Sequence, residues 1–149
     1  MKVMMLDGNS IVNRAFYGIR LFSNKEGLYT NAVYGFLNIL LKFLDEEKPD
    51  GVCVAFDVHA PTIRSRKYEA YKAQRTGMPD ELAVQMPVLK EVLDAMNICR
   101  FELEGYEADD ILGTFSRKMT ESGGESVIVT GDRDSLQLVG EHSRVKFVS

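Results

Sequence analysis

The sequence predicts an α/β fold with a mostly parallel central sheet and helices on both faces. Three observations predict it. Short β-rich apolar runs alternate with segments of helical spacing, the strand, helix, strand order that a parallel sheet requires. Runs such as Val3-Met4-Met5-Leu6 and Val52-Cys53-Val54-Ala55-Phe56 are apolar at every position, as strands buried on both faces are. The 149 residues, 45% hydrophobic, suit one domain with a real core, and no internal repeat or low-complexity linker divides them.

The first strand is expected at residues 2–6, followed by helical patterns at 11–21 and 32–44. A second strand follows at 51–56. Residues 80–96 have helical spacing, but Pro87 lacks a backbone donor and disfavours helix at Met86, so a break or kink is expected there. Residues 100–103 form a weaker strand candidate. A helix is expected at 107–121, closed by Gly123-Gly124, and strands at 126–130 and 144–148.

No apolar run is long enough to cross a bilayer, and the amino terminus is too short in apolar residues for a signal peptide, so a soluble cytoplasmic protein is expected. Cys53 and Cys99 lack a CxxC partner or a nearby His, which favours buried free thiols over a disulfide or a zinc site. The net charge of −4 is unevenly distributed. Between Arg64 and Arg75 five basic residues face Glu69 alone, a local charge of +4, with Tyr68 and Tyr71 interleaved. That stretch reads either as a solvated helix face or as a phosphate-binding surface.

In an open parallel sheet the loops after the carboxyl ends of the strands form the ligand crevice. Acidic residues fall there repeatedly: Asp7 after the first strand, Asp57 after the second, Glu107, Asp109 and Asp110 after the third, Asp132 and Asp134 after the fourth. Each has an ordinary structural alternative. Asp7-Gly8 can turn the chain, the acids at 107, 109 and 110 suit a helix N-terminus, and Asp134 with Gln137 can cap a short helix. Seven carboxylates at one edge, however, raise one another's pKa and cost stability unless a cation compensates. The set is all oxygen, which suits hard Mg²⁺ or Mn²⁺ better than Zn²⁺. Two such ions would hold the attacking water and the leaving oxygen of a phosphodiester. Setting the seven carboxylates aside turns the net charge from −4 to +3. On a regular helix Glu107 and Asp110 share a face and Asp109 points elsewhere, so the three meet at one site only if the helix begins within the motif.

These residues resemble the five-prime nuclease domain of bacterial DNA polymerase I, itself similar to flap endonucleases. The likeness spans the whole chain and rests on LDGNS at 6–10, NRAFYG at 13–18, TNAVYGF at 30–36, AFD at 55–57, YKAQR at 71–75, GYEADD at 105–110 and TGDRDSLQLV at 130–139. The resemblance implies a PIN-like fold and a metal-dependent five-prime to three-prime exonuclease or flap endonuclease acting on DNA in replication and repair. It implies Asp7, Asp57, Glu107, Asp109 and Asp110 around a first metal, and Asp132 and Asp134 toward a second. It makes residues 59–78 a basic helical arch or clamp, with Lys72 and Arg75 on the scissile phosphate and Arg64, Arg66, Lys67 and Tyr68 as further DNA contacts. Arg14 and Tyr17 would lie near the same groove, and Tyr68 and Tyr71 either pack on the sheet or stack on bases.

In such nucleases a further aspartate-containing block and a helix-hairpin-helix element follow the region that ends here at Ser149, and a polymerase domain follows in the parent. Asn13 stands where relatives often carry a stacking aromatic. The resemblance thus leaves two readings of the 149-residue chain: a nuclease segment acting on five-prime ends or flaps, or a catalytically silent module that binds metal or DNA. A third class, a phosphoryl-accepting receiver with Asp57 as acceptor, fits poorly. Asp7 has no adjacent acidic partner there, and the basic segment would have no task.

Overall fold

The computed structural model describes residues 1–57, 78–140 and 142–148. Five strands, β1 (Lys2–Asp7), β2 (Gly51–Ala55), β3 (Cys99–Phe101), β4 (Glu125–Thr130) and β5 (Ser143–Phe147), form one sheet in the order β3-β2-β1-β4-β5. Every pairing is parallel. The expected parallel sheet with helices on both faces is therefore observed. Because successive side chains of a strand point to opposite faces, β1 divides its apolar residues between two cores. Met4 and Leu6 join Val54, Phe56, Val127 and Val129 under α1 (Gly8–Gly18) and α2 (Asn31–Glu47). That face is completed by a short helix α3 (Asp80–Ala83) and by α4 (Gln85–Ala95). Met5 turns the other way, with Ala55 and Ile128, against Ala108, Ile111 and Leu112 of α5 (Ala108–Glu121). Among the described residues no helix is long and apolar enough to cross a membrane.

Several boundaries differ from the sequence-based expectation, each for a local reason. The first helix begins at Gly8 rather than residue 11, because β1 runs into α1 without a loop and its last residue, Asp7, is the N-cap, accepting from the Ser10 amide at 3.5 Å. The break expected at Met86 falls at Val84 instead. Pro87 then sits in the first turn of α4, where a missing donor costs nothing, and the carbonyl of Ala83 that its ring would crowd belongs to the preceding helix. The third strand occupies Cys99–Phe101, one residue earlier than expected and shorter. Cys53 and Cys99 are free thiols and register partners on adjacent strands, but Cys99 is exposed, since β3 is an edge strand.

Buried amides tie the helices together. Gln85 accepts from the Ala32 and Val33 amides at 2.8 and 3.2 Å, capping the start of α2 from another helix. Its own amide group donates to the Asn31 side chain at 2.8 Å, and Asn31 donates to the carbonyls of Phe16 and Ile19 at the end of α1. At the far end of α2 the buried Glu47 carboxylate receives Arg144 at 2.6 Å, with Lys2 and Lys146 each at 3.8 Å.

The junction of β1 and α1 has no room to spare. A Cβ added at Gly8 would lie 2.5 Å from Cε1 of the buried Phe56 ring and 2.9 Å from the Ala55 carbonyl oxygen. Gly8→Ala should therefore lower stability by about 1–3 kcal/mol through overpacking, seen as a lower urea midpoint at unchanged slope. An unchanged midpoint would show that the β1–α1 junction yields without strain.

Candidate metal centre

The strand order reverses beside β1: the chain steps from β1 outward to β3 and then returns to β4 on the other side. Such a switch point opens a crevice at the carboxyl ends of the strands. Asp7 ends β1, and Asp132 follows β4 by two residues, so they stand on either side of it. Asp109 reaches the same place from the first turn of α5. Carboxylate oxygens of Asp7, Asp109 and Asp132 all lie within 4.8 Å of one another. Asp57 and Glu107 line the same cleft of about 390 Å³, together with Asn9, Ser10 and Asn13.

The helix question raised by the Glu107, Asp109 and Asp110 spacing is resolved by where α5 begins. Glu107 is its N-cap, and a capping box joins the Glu107 side chain to the Asp110 amide and the Asp110 carboxylate to the Glu107 amide at 3.1 Å. Asp109, between them, turns toward β4 and accepts from the Ser135 hydroxyl at 3.0 Å. Asp110 lines a neighbouring depression with Arg117 and Gln137. Asp57 accepts from the Ala108 amide at 2.6 Å, and its own amide donates to the Asn9 side chain at 2.9 Å. Asp134 is exposed on the 3-10 helix Arg133–Leu138, and its amide donates to Asp132 at 2.9 Å.

Electrostatically the cleft is costly in its metal-free form. Burial, then the neighbouring Asp109 and Asp57 carboxylates, push the Asp7 acid up to about 7, against two bonds from Ser10 that pull it down. Asp109 is also raised, first by burial and then by Asp132, Asp57 and Glu107, with the Ser135 bond opposing.

A second, more open groove of about 740 Å³ shares Ser10, Asn13 and Asp132 with the acidic cleft and continues past Arg14, Tyr17 and Arg133. Arg14 donates through Nε and Nη2 to the Gly131 carbonyl at 3.2 and 3.0 Å, and its guanidinium lies 5.3 Å from the centre of the Phe147 ring. Tyr17 is 71% exposed, its ring edge-on to Phe16 at 5.0 Å. Arg64, Arg66, Lys67, Tyr68, Tyr71, Lys72 and Arg75, and nearly all of the expected arch at 59–78, lie outside the described residues.

Sequence reasoning gave the hydroxyls behind the acids no part in the metal site, weighing Thr130 only as a helper in the receiver reading. Thr130 donates to Asp7 Oδ2 at 3.1 Å and accepts from the Asp132 amide at 3.0 Å, with Ser10 3.2 Å and Ser135 3.4 Å away. The available signal was position: Thr130 and Ser135 flank the paired aspartates at 132 and 134, and Ser10 lies three residues after Asp7.

Residues 2–149 match the family described as 5'-3' exonuclease, N-terminal resolvase-like domain. The chain belongs to this family. Among curated relatives it is 48% identical over 149 residues to DNA polymerase I of Caldicellulosiruptor bescii, covering all of this chain and 18% of that one. It is 46% identical over 144 residues to DNA polymerase I of Bacillus subtilis, covering 97% and 16%. This exonuclease-family domain thus spans under a fifth of the length of the relatives it matches. Among solved structures, the T5 5'-exonuclease with bound zinc superposes with a TM-score of 0.68 at 16% identity, covering 96% of this chain and 54% of that one. The catalytic core of Rad2 in complex with DNA substrate superposes at 0.54 with 18% identity, covering 91% and 40%. At these identities the likeness concerns the fold.

The raised Asp7 acidity sets the sign of a pH effect. A carboxylate that holds its proton more tightly folded than unfolded favours folding at low pH, and that contribution is lost as pH rises from its ordinary 3.8 through about 7. In chelator at pH 8, Asp7→Asn should therefore melt a few degrees above the parent, roughly 3–8 °C for a gain of one or two kcal/mol, with the gap narrowing as pH falls below 7. Scanning calorimetry across that range checks it, and a pH-independent gap would contradict the raised acidity.

Proposed function

We propose that this domain holds the metal ions of a DNA-cutting five-prime to three-prime exonuclease or flap endonuclease, one that removes primers and flaps in replication and repair. The observation that carries this reading is the meeting of Asp7, Asp109 and Asp132 oxygens within 4.8 Å at the switch point of a sheet in this nuclease family. The donor set fits a hard divalent cation: it is all oxygen, and each raised carboxylate has an unfavourable charge that a cation would offset. We take the resident ions to be two Mg²⁺ or Mn²⁺. When bound, they supply an activated water and neutralise charge on the leaving oxygen. Asp7, Asp57, Glu107, Asp109 and Asp110 are assigned to the first ion, and Asp132 with Asp134 to the second.

The chain's own residues then divide the remaining work. The amides of Ala108 and Ser10 hold Asp57 and Asp7 in place, so the carboxylates are oriented before any ion arrives. The groove along Arg14 and Tyr17 leads away from the acids and would take the strand beside the reacting phosphate. The basic segment at 59–78, with Arg64, Arg66, Lys67, Tyr68, Lys72 and Arg75, would grip phosphates by charge, Arg in bidentate fashion and Lys as a point charge. Its expected partners are DNA with five-prime ends or flaps, and the remainder of a longer polymerase parent working in the cytoplasm. A second reading is that the 149-residue chain is silent alone. It is favoured by the chain's 54% coverage of the T5 exonuclease.

Cleavage of a labelled five-prime flap DNA decides between them. In the full-length parent, Asp7→Ala and Asp132→Ala should each cut at least ~100-fold more slowly while DNA binding changes little, since a lost ion removes several kcal/mol of transition-state stabilisation. Retained cleavage in both would sink the assignment. For the 149-residue chain, cutting with Mg²⁺ or Mn²⁺ that chelator and Asp7→Ala abolish would mean that the acids present suffice. No cutting by the folded chain, restored when a separately made carboxyl-terminal remainder is added, would establish the silent reading.

A further inference from the structure

Thr130 is fully buried, yet it carries a hydroxyl, and burying a hydroxyl costs free energy unless it is hydrogen-bonded. Its bonds can be counted. The one proton it owns goes to Asp7 Oδ2 at 3.1 Å, the shorter contact, in preference to Ser135 Oγ at 3.4 Å. Its lone pairs take the Asp132 amide at 3.0 Å and leave room for the Ser10 hydroxyl at 3.2 Å. Ser135, also fully buried, spends its own proton on Asp109 Oδ1 at 3.0 Å. Ser10 accepts from the Gly131 amide at 2.9 Å. The three residues whose oxygens converge in the cleft are thus each held by this hydroxyl pair: Asp7 through its carboxylate, Asp132 through its backbone and Asp109 through Ser135.

The fold makes this position hard to replace. Thr130 ends β4, whose Val129 pairs with Leu6, so Thr130 stands beside Asp7 at the mouth of the switch point. A β-branched side chain on a strand has few χ1 choices, so the hydroxyl is aimed by the backbone itself. We propose that Thr130, with Ser135, is the positioning element of this metal centre, setting the spacing of Asp7, Asp109 and Asp132 before an ion binds. The inference rests on the metal reading given above and deepens it. Thr130 touches neither ion nor substrate in this role.

The test is Mn²⁺ binding to the 149-residue chain, followed by the loss of the free-ion electron paramagnetic resonance signal on titration. Thr130→Val keeps shape and apolar volume but leaves the Asp7 oxygen and the Asp132 amide without their partner; it should bind Mn²⁺ roughly 10- to 100-fold more weakly. Thr130→Ser restores the hydroxyl and should recover most of the affinity. Ser135→Ala, a smaller disturbance, should weaken binding by less, and it carries the test if Thr130→Val does not fold by circular dichroism. Wild-type affinity in Thr130→Val, or in Ser135→Ala where that variant stands in, overturns the proposal. Equal weakening in Thr130→Val and Thr130→Ser does so too, since shape rather than the hydroxyl would then be at work. Asp7→Asn is the separate control: if the wild type binds no Mn²⁺, or binds it as well with Asp7→Asn, the metal reading itself fails and takes this inference with it.

Discussion

The cost of keeping Asp7 at the buried end of the central strand shapes everything around it. In an all-parallel sheet each strand delivers its next residues to the same edge, and the order β3-β2-β1-β4-β5 leaves a crevice between β1 and β4. An acid there loses water and faces its like, which is why burial and neighbouring carboxylates together push Asp7 up to about 7. The apolar layers on either side tolerate this because each fully buried Leu, Phe or Met contributes about 1.5–3 kcal/mol. Leu6, Ile11, Phe36 and Phe56 are among many such side chains. A local conflict so placed is what a functional site looks like in an otherwise self-consistent fold.

Part of the compensation is already built into the backbone. Asp7 caps α1 and Glu107 caps α5, so two helix N-termini, each carrying partial positive charge, open onto the same cleft. The Ala108 amide of α5 donates to Asp57 at 2.6 Å, and the Ser10 amide of α1 faces Asp7. Helix termini contribute about 0.3–1 kcal/mol per charge, up to about 2 when partly buried. One pKa unit corresponds to about 1.4 kcal/mol, so the termini are too weak to return Asp7 to the usual carboxylate range. A bound cation would offset the remainder.

Much of this was legible in the sequence, and what escaped shares one physical character. Strands buried on both faces announce themselves by unbroken apolar runs, and the acids after them follow from chain direction alone, so Asp7, Asp57, Glu107, Asp109 and Asp132 could be placed on one edge. Contacts between segments far apart in the chain carry no such local mark. Gln85 capping α2 and Thr130 holding Asp7 are both of that kind. Gln85 does not look unusual where it stands, and Thr130 is marked only by its place two residues before Asp132. The helix start at Gly8 was missed because Asp7-Gly8 reads equally as a turn, and the break was placed two residues late because Pro87 lies in the first turn of its helix, where a missing donor costs nothing.

The acids of α5 show how a helix start can sort carboxylates that spacing cannot. Consecutive helical residues point about 100° apart, so three acids within four positions cannot share one target on a regular helix. Placing the N-cap at Glu107 breaks that regularity. Glu107 and Asp110 then engage each other's amides, which anchors the first turn, and Asp109 is left to lean on Ser135 toward Asp7 and Asp132. Asp109 can take up a cation without disturbing that box. An ion that also draws on Asp110, as proposed above, would share that carboxylate with the Glu107 amide. Among the acids of this motif, Asp109 is therefore the one whose use by a cation costs the helix least.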